Sequence, residues 1–86
     1  MAKTKLVKKK ILKYTAIFEP AEEGGYIVTV PAIPGCVTQG ENLKDAKKMA
    51  KDAIRLCLET MRDLNEEIPK EPKKIIISKI PVTVRV

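Results

Sequence analysis

The segment between Asn42 and Asn65 restricts the fold of this chain more than any other. Leu43, Ala46, Ala50, Ala53, Ile54, Cys57, Leu58, Met61 and Leu64 recur at helical spacings and form one apolar stripe. Lys44, Lys48, Lys51, Asp52, Arg55, Glu59 and Arg62 occupy the opposite face. A helix with one dry face needs a second layer to cover it. Asn42 suits the N-cap, because its side-chain oxygen can accept a free backbone N–H of the first turn. Asp45 lies where an acid favours the helix dipole. Asn65 ends the helix, since Pro69 and Pro72 forbid a longer one. The stripe is also graded. Ala46, Ala50 and Ala53 permit close backbone approach in the N-terminal half, and bulkier side chains fill a wider C-terminal half.

The second layer is read from the segments on either side. ILKYTAIFEP (11–20) alternates loosely, ends at Pro20 and reads as a first strand. AEEGG follows as an acidic turn in which Gly24 and Gly25 are free to take positive φ. YIVTV (26–30) is a β-branched second strand, antiparallel to the first, with Tyr26, Val28 and Val30 on one face and Ile27 and Thr29 on the other. Pro31 and Pro34 cannot donate to a ladder, so PAIPG leaves the sheet and Gly35 permits the reversal. CVTQ (36–39) is a short third strand, and GEN hands the chain to the helix. KKIIISKIPVTVRV (73–86) is a last extended segment. Ile75 and Ile77 alternate in one parity, and Ile80, Val82, Val84 and Val86 in the other, which calls for a bend or bulge near Lys79–Pro81. The expected fold is α+β, in the order β-β-β-α-β, with one amphipathic helix on one face of an antiparallel-rich sheet. Residues 1–12 read as a basic leader and 13–86 as a single domain.

A chain of 86 residues buries only a thin core and gains from a partner. PVTVRV offers an exposed strand edge, only partly blunted by Lys79, Pro81 and Arg85. Val82, Val84 and Val86 are therefore the candidate oligomer edge, and a homo-dimer or tetramer is expected. No run approaches the roughly 18 apolar residues of a membrane span, and nothing at the start has the form of a signal peptide. The cytoplasm is the expected compartment, with no membrane partner.

Catalysis finds little to work with. The chain has no histidine, which removes the commonest general base and the commonest metal ligand. Cys36 lacks a histidine partner, although a helix N-terminus six residues on leaves it some scope for activation. Cys57 lies on the apolar stripe. The two are neither a disulfide framework nor a metal knuckle, and a bridge between them requires the helix to cross that strand. Glu22 and Glu23 belong to a turn. Glu41 and Asp45 suit a helix start, and Glu66, Glu67 and Glu71 lie in a proline-flanked linker without fixed geometry. The strands contribute only Glu19, whereas magnesium-dependent hydrolysis needs several converging acids. GEN is too short to cradle a pyrophosphate, and no cofactor site is expected. Three aromatic side chains, Tyr14, Phe18 and Tyr26, do not make a base-stacking platform. The net charge of +6 is localised: Lys3, Lys5, Lys8, Lys9, Lys10 and Lys13 come with no acid, and the remaining 11 cations balance the 11 acids. Such a leader either aids solubility or touches phosphate or an acidic partner. Residue types and spacing thus describe a small oligomeric binding module without naming its ligand.

FEPAEEGGYIVTVPAIPGCVTQGENLKDAKKMAKDAIRLCLETM (18–61) resembles the HicB family of antitoxins and HicB-like orphan proteins. The shared string is Gly24-Gly25-Tyr26, Val30-Pro31, Pro34-Gly35-Cys36, Gln39-Gly40 and Ala46, with Asp45 where the family often has Glu. EEIPKEP (66–72) is similar to the family's post-helix segment. The resemblance implies a degenerate ribonuclease-H-like fold without its catalytic acids. It also implies a non-catalytic role, in which the domain masks a small, basic, mRNA-cleaving HicA toxin by occlusion. Many members add a C-terminal DNA-binding module, which this chain is expected to lack. The candidate partner surface is Glu19, Glu22 and Glu23, whose charge complements a basic toxin, with Ile33 as an outward apolar contact. Gly24, Gly25, Tyr26, Pro31, Pro34, Gly35, Cys36 and Gly40 are read as the structural motif, and PAIPGC as a joint. The alternative is a stand-alone oligomeric module with another ligand, RNA or DNA, held through the lysine-rich N-terminus.

Overall fold

Three short antiparallel strands and one long helix organise the chain: β1 (Ile17–Pro20), β2 (Tyr26–Thr29), β3 (Val37–Gly40) and α1 (Leu43–Asp63). The structure, a computed structural model, describes residues 10–86, so residues 1–9 of the expected leader lie outside the described residues. The sheet order is β1-β2-β3, and the class is α+β as expected.

Both ends of α1 are set locally. The Asn42 side chain accepts from the Asp45 N–H at 2.7 Å, and Asp45 Oδ2 accepts from the Glu41 N–H at 2.9 Å. The first bond satisfies a backbone donor that the first turn leaves free, and the second ties down the residue before the cap. At the other end Asn65 takes a left-handed φ of 58°. The Asn65 N–H then donates to the Arg62 carbonyl and the Glu66 N–H to the Met61 carbonyl, a Schellman ending.

Register places the core. Phe18 pairs with Val28 and Val28 with Thr38, so these three share the face that carries the helix. Val28, Ala46 and Ala50 are buried together, with Ala16, Phe18 and Tyr26 against them. A second cluster joins Val30, Ile33 and Cys36 to Ala53, Ile54, Cys57, Leu58 and Met61. The small half of the stripe thus lies close to the sheet and the bulky half over the joint. At Gly40 a Cβ would strike the backbone N and Cα of Ala46, so only glycine allows this approach of strand and helix.

The joint corrects the expectation for Ile33. Ile33 donates to the Val30 carbonyl and accepts from the Cys36 N–H, each at 3.1 Å, and Val30 donates to the Cys36 carbonyl. Two consecutive turns therefore share Ile33 as their corner, with Gly35 at φ 78°. The corner points inward. Ile33 is 1% exposed, while Pro31, Pro34 and Gly35 face solvent. Burying an isoleucine is worth about 1.5–3 kcal/mol, and α1's bulky half supplies the apolar wall that makes it possible.

β1 starts at Ile17, later than the expected strand over 11–20. Its partner runs out: Ile17 pairs with Thr29, after which Val30 turns into the joint. The linker after α1 is anchored where the sequence suggested no geometry. Tyr14 Oη donates to the Pro69 carbonyl at 2.5 Å, and Glu71 accepts from both the Thr15 N–H, at 3.0 Å, and the Thr15 hydroxyl. Beyond this clamp, residues 74–86 join no ladder, and Ile76, Ile77, Ile80, Val82, Val84 and Val86 are exposed. The fourth strand expected there finds no partner among the described residues. The molecule is accordingly elongated, 73 × 27 × 22 Å.

Candidate functional site

The pairing of Pro20 with Tyr26 and of Tyr26 with Gly40 brings two acidic segments to one end of the sheet. One is the β1–β2 turn. Ala21 and Gly25 close it through an N–H···O bond of 3.0 Å, and Gly24 donates back to the Ala21 carbonyl. Gly24 and Gly25 have φ of 100° and 76°, in the region that side chains disfavour. A Cβ on Gly25 would also strike the Gly40 carbonyl oxygen. The other segment is the β3–α1 junction, with Glu41 and the capping Asp45.

Between them lies an open cleft of about 750 Å³. Glu22, Glu23, Glu41 and Asp45 line it, Tyr26 and Met49 supply its apolar part, and no described lining residue is Lys or Arg. Such a cleft holds a negative potential and attracts a basic surface. The sequence alone puts Glu22 and Glu23 at the tip, but it marks Glu41 and Asp45 only as a helix start. Their convergence depends on Gly40 lying beside Tyr26, a register that no local pattern announces.

Glu19 is exposed on β1 and lies on the other face of the sheet, in the row Glu19–Ile27–Gln39. Beside it runs the row Ile17–Thr29–Val37. Ile27 and Val37 are 42% and 59% exposed, so this face is open and partly apolar. Ile33, Pro31, Pro34, Gly35 and Cys36 belong to the joint beyond the Ile17–Thr29–Val37 row, and Val82, Val84 and Val86 are exposed on the C-terminal segment.

Cys36 packs against Cys57, in the second half of α1, and not at the helix N-terminus that the sequence left open as an activator. Burial pushes its thiol up to about 11, and the hydrogen bond and charge of Cys57 add to the rise. A thiol held protonated is a poor nucleophile at neutral pH. Both cysteines are free. Among the described residues, no group of three or more His, Cys, Asp or Glu is placed to hold a metal ion, and no helix is long and apolar enough to cross a membrane.

Known proteins are similar to this chain in sequence. A UPF0150 protein of Thermoplasma acidophilum is 47% identical over 60 residues, covering 70% of this chain and 87% of that protein. Antitoxin HicB 1 of Photorhabdus laumondii is 43% identical over 60 residues, 70% of this chain and 39% of its own length. Antitoxin HicB of Escherichia coli K12 is 40% identical over 58 residues, 67% of this chain and 42% of its own. The chain thus spans about two-fifths of these antitoxins. The family model for the HicB-like antitoxin of bacterial toxin-antitoxin systems matches residues 14–80. That match runs from Tyr14, ahead of β1, through the three strands, the joint, α1 and the clamped linker into the C-terminal segment as far as Ile80, and the chain belongs to the HicB-like antitoxin family.

Proposed function

We propose that this chain is a non-catalytic binding protein that masks a small, basic, mRNA-cleaving toxin of the HicA kind by covering its active site. The observation that carries the reading is the acidic cleft, whose four carboxylates gather at one end of the sheet with no Lys or Arg among the described lining residues. Charge of one sign in a cleft speeds encounter with an oppositely charged partner and fixes its orientation. Tyr26 and Met49 add apolar surface to anchor what the charge attracts. Family membership supports the antitoxin role, and the buried, protonated Cys36 supports the absence of turnover.

The test is a charge reversal. The double variant Glu22→Lys/Glu23→Lys is expected to bind a purified HicA-type toxin at least tenfold more weakly than the parent chain does, chiefly through slower association at low salt. It is also expected to lose protection in a growth-rescue assay. Unchanged affinity and a flat salt dependence would remove the cleft from the interface.

The six lysines within residues 1–13 favour a second reading, a stand-alone module that holds RNA or DNA through this arm. Deleting residues 1–12 separates the two. Toxin binding is expected to survive the deletion, and salt-dependent RNA binding, if that is the function, is lost with it.

A further inference from the structure

The clearest unfinished business lies along the outer edge of β1. β2 covers one side of this strand, and its other side pairs with nothing in the described chain. Beside that edge, between β1 and α1, runs an apolar groove of about 430 Å³ lined by Tyr14, Ala16, Phe18, Ala50 and Ile54. Tyr14 and Ala16, on the segment that leads into β1, alternate with Phe18 within it, so their side chains present a period of two residues. Residues 80–86 carry the same period in Ile80, Val82, Val84 and Val86, all exposed and without a strand partner among the described residues. We propose that these residues form an exchanged arm, which docks as an added strand on the β1 edge and groove of a second copy of the chain.

Chain geometry favours a second copy over the arm's own body. The arm is held at its root, where Glu71 clamps Thr15 and Pro69 accepts from Tyr14, at the end of the groove. From Glu71, nine extended residues carry Ile80 about 30 Å, whereas Tyr14 to Phe18 spans about 13 Å. Residues 80–86 therefore overshoot their own groove. A two-fold related copy offers an identical groove and an identical arm, so the exchange closes on itself.

Charge fits the same placement. Lys13, Lys47 and Lys51 rim the groove, which disfavours a cation there. With Val82, Val84 and Val86 turned towards the groove, alternation sends Thr83 and Arg85 to the opposite face of the sheet. That is the face on which β1 carries Glu19, an exposed acid that takes part in no ion pair among the described residues. The change of parity near Lys79–Pro81 lets the arm leave its own chain in one register and enter its partner in the other.

Two measurements test the exchange. The full chain is expected to sediment at twice the chain mass or a larger even multiple. Val82→Asp/Val84→Asp is expected to run as a monomer with an unchanged helical circular dichroism signal, since it alters only exposed positions. A monomeric full chain, or a double variant that keeps the oligomer mass, would overturn the proposal. Placement is read from an equimolar mixture of Glu19→Cys and Arg85→Cys chains, each carrying Cys57→Ser. Mild air oxidation is expected to yield the mixed disulfide pair. Arg85→Cys chains that link only to one another, or no linkage at all, would refute docking on β1.

Discussion

The two ends of the sheet are built from similar materials and do opposite things. AEEGG and PAIPG both carry glycine at positive φ, and both reverse the chain between strands. At the AEEGG end the turn stays in water, and Glu22 and Glu23 face the cleft. At the PAIPG end the turn folds over, hides Ile33 and Cys36, and leaves only its prolines and Gly35 outside. The cause lies in α1. Its bulky half, with Ile54, Cys57, Leu58 and Met61, hangs over the joint and offers an apolar wall. Its small half, with Ala46 and Ala50, settles on the sheet close to Gly40 and leaves the acidic turn uncovered. A turn sequence states where the chain reverses, and the surface above it settles whether the reversal becomes core or binding site.

Substitutions at the two ends should separate sharply. Ile33→Ala is expected to lower the unfolding free energy by about 2–5 kcal/mol in urea titrations, the range for emptying a packed aliphatic site. Glu22→Ala at the other end should change it by less than about 0.5 kcal/mol, as is usual for an exposed side chain. Equal effects would erase the distinction. Among the glycines, Gly40→Ala is expected to cost about 1–3 kcal/mol, because its methyl meets the Ala46 backbone. Gly24→Ala meets nothing within 4 Å and pays only for its left-handed φ, about 1–2 kcal/mol. A Gly40→Ala protein as stable as the parent would show that α1 does not press on β3.

The smallest expected effect is at Cys36 and depends on pH. Its thiol is raised from 9.0 to about 11 in the folded chain, so the unfolded chain loses the proton first. Stability from this group is therefore full below pH 9 and declines as pH rises towards 11. Melts between pH 8 and 11 should show the decline in the parent, and Cys36→Ala should flatten this component of it.

Much of the fold was legible locally. The helix bounds follow from an apolar period, an Asn cap whose oxygen reaches the Asp45 N–H, and an Asn at the C-terminal side that tolerates left-handed backbone. The β1–β2 hairpin follows from alternation broken by two glycines. Ile33 was misread because a short loop between prolines looks exposed until its hydrogen bonds turn its corner inward. Glu71 was read as loose because its partner, Thr15, lies 56 residues away in the chain. Of the acidic cleft, the sequence showed one lip, Glu22 and Glu23, and missed that Glu41 and Asp45 form the other.

Properties that depend on neighbours in the chain were already written in the 86 residues: the helix, the hairpin, the poverty of proton-transfer side chains and the apolar alternation of 80–86. Three-dimensional packing settled the rest: the inward turn of Ile33, the gathering of four acids, the clamp of Glu71 on Thr15 and the last segment's lack of a strand partner among the described residues. Local hydrogen bonds and side-chain periods act over a few residues, and their energies are set before the chain collapses. Burial and strand pairing compare surfaces far apart in sequence, and those surfaces do not exist until the helix has been laid on the sheet.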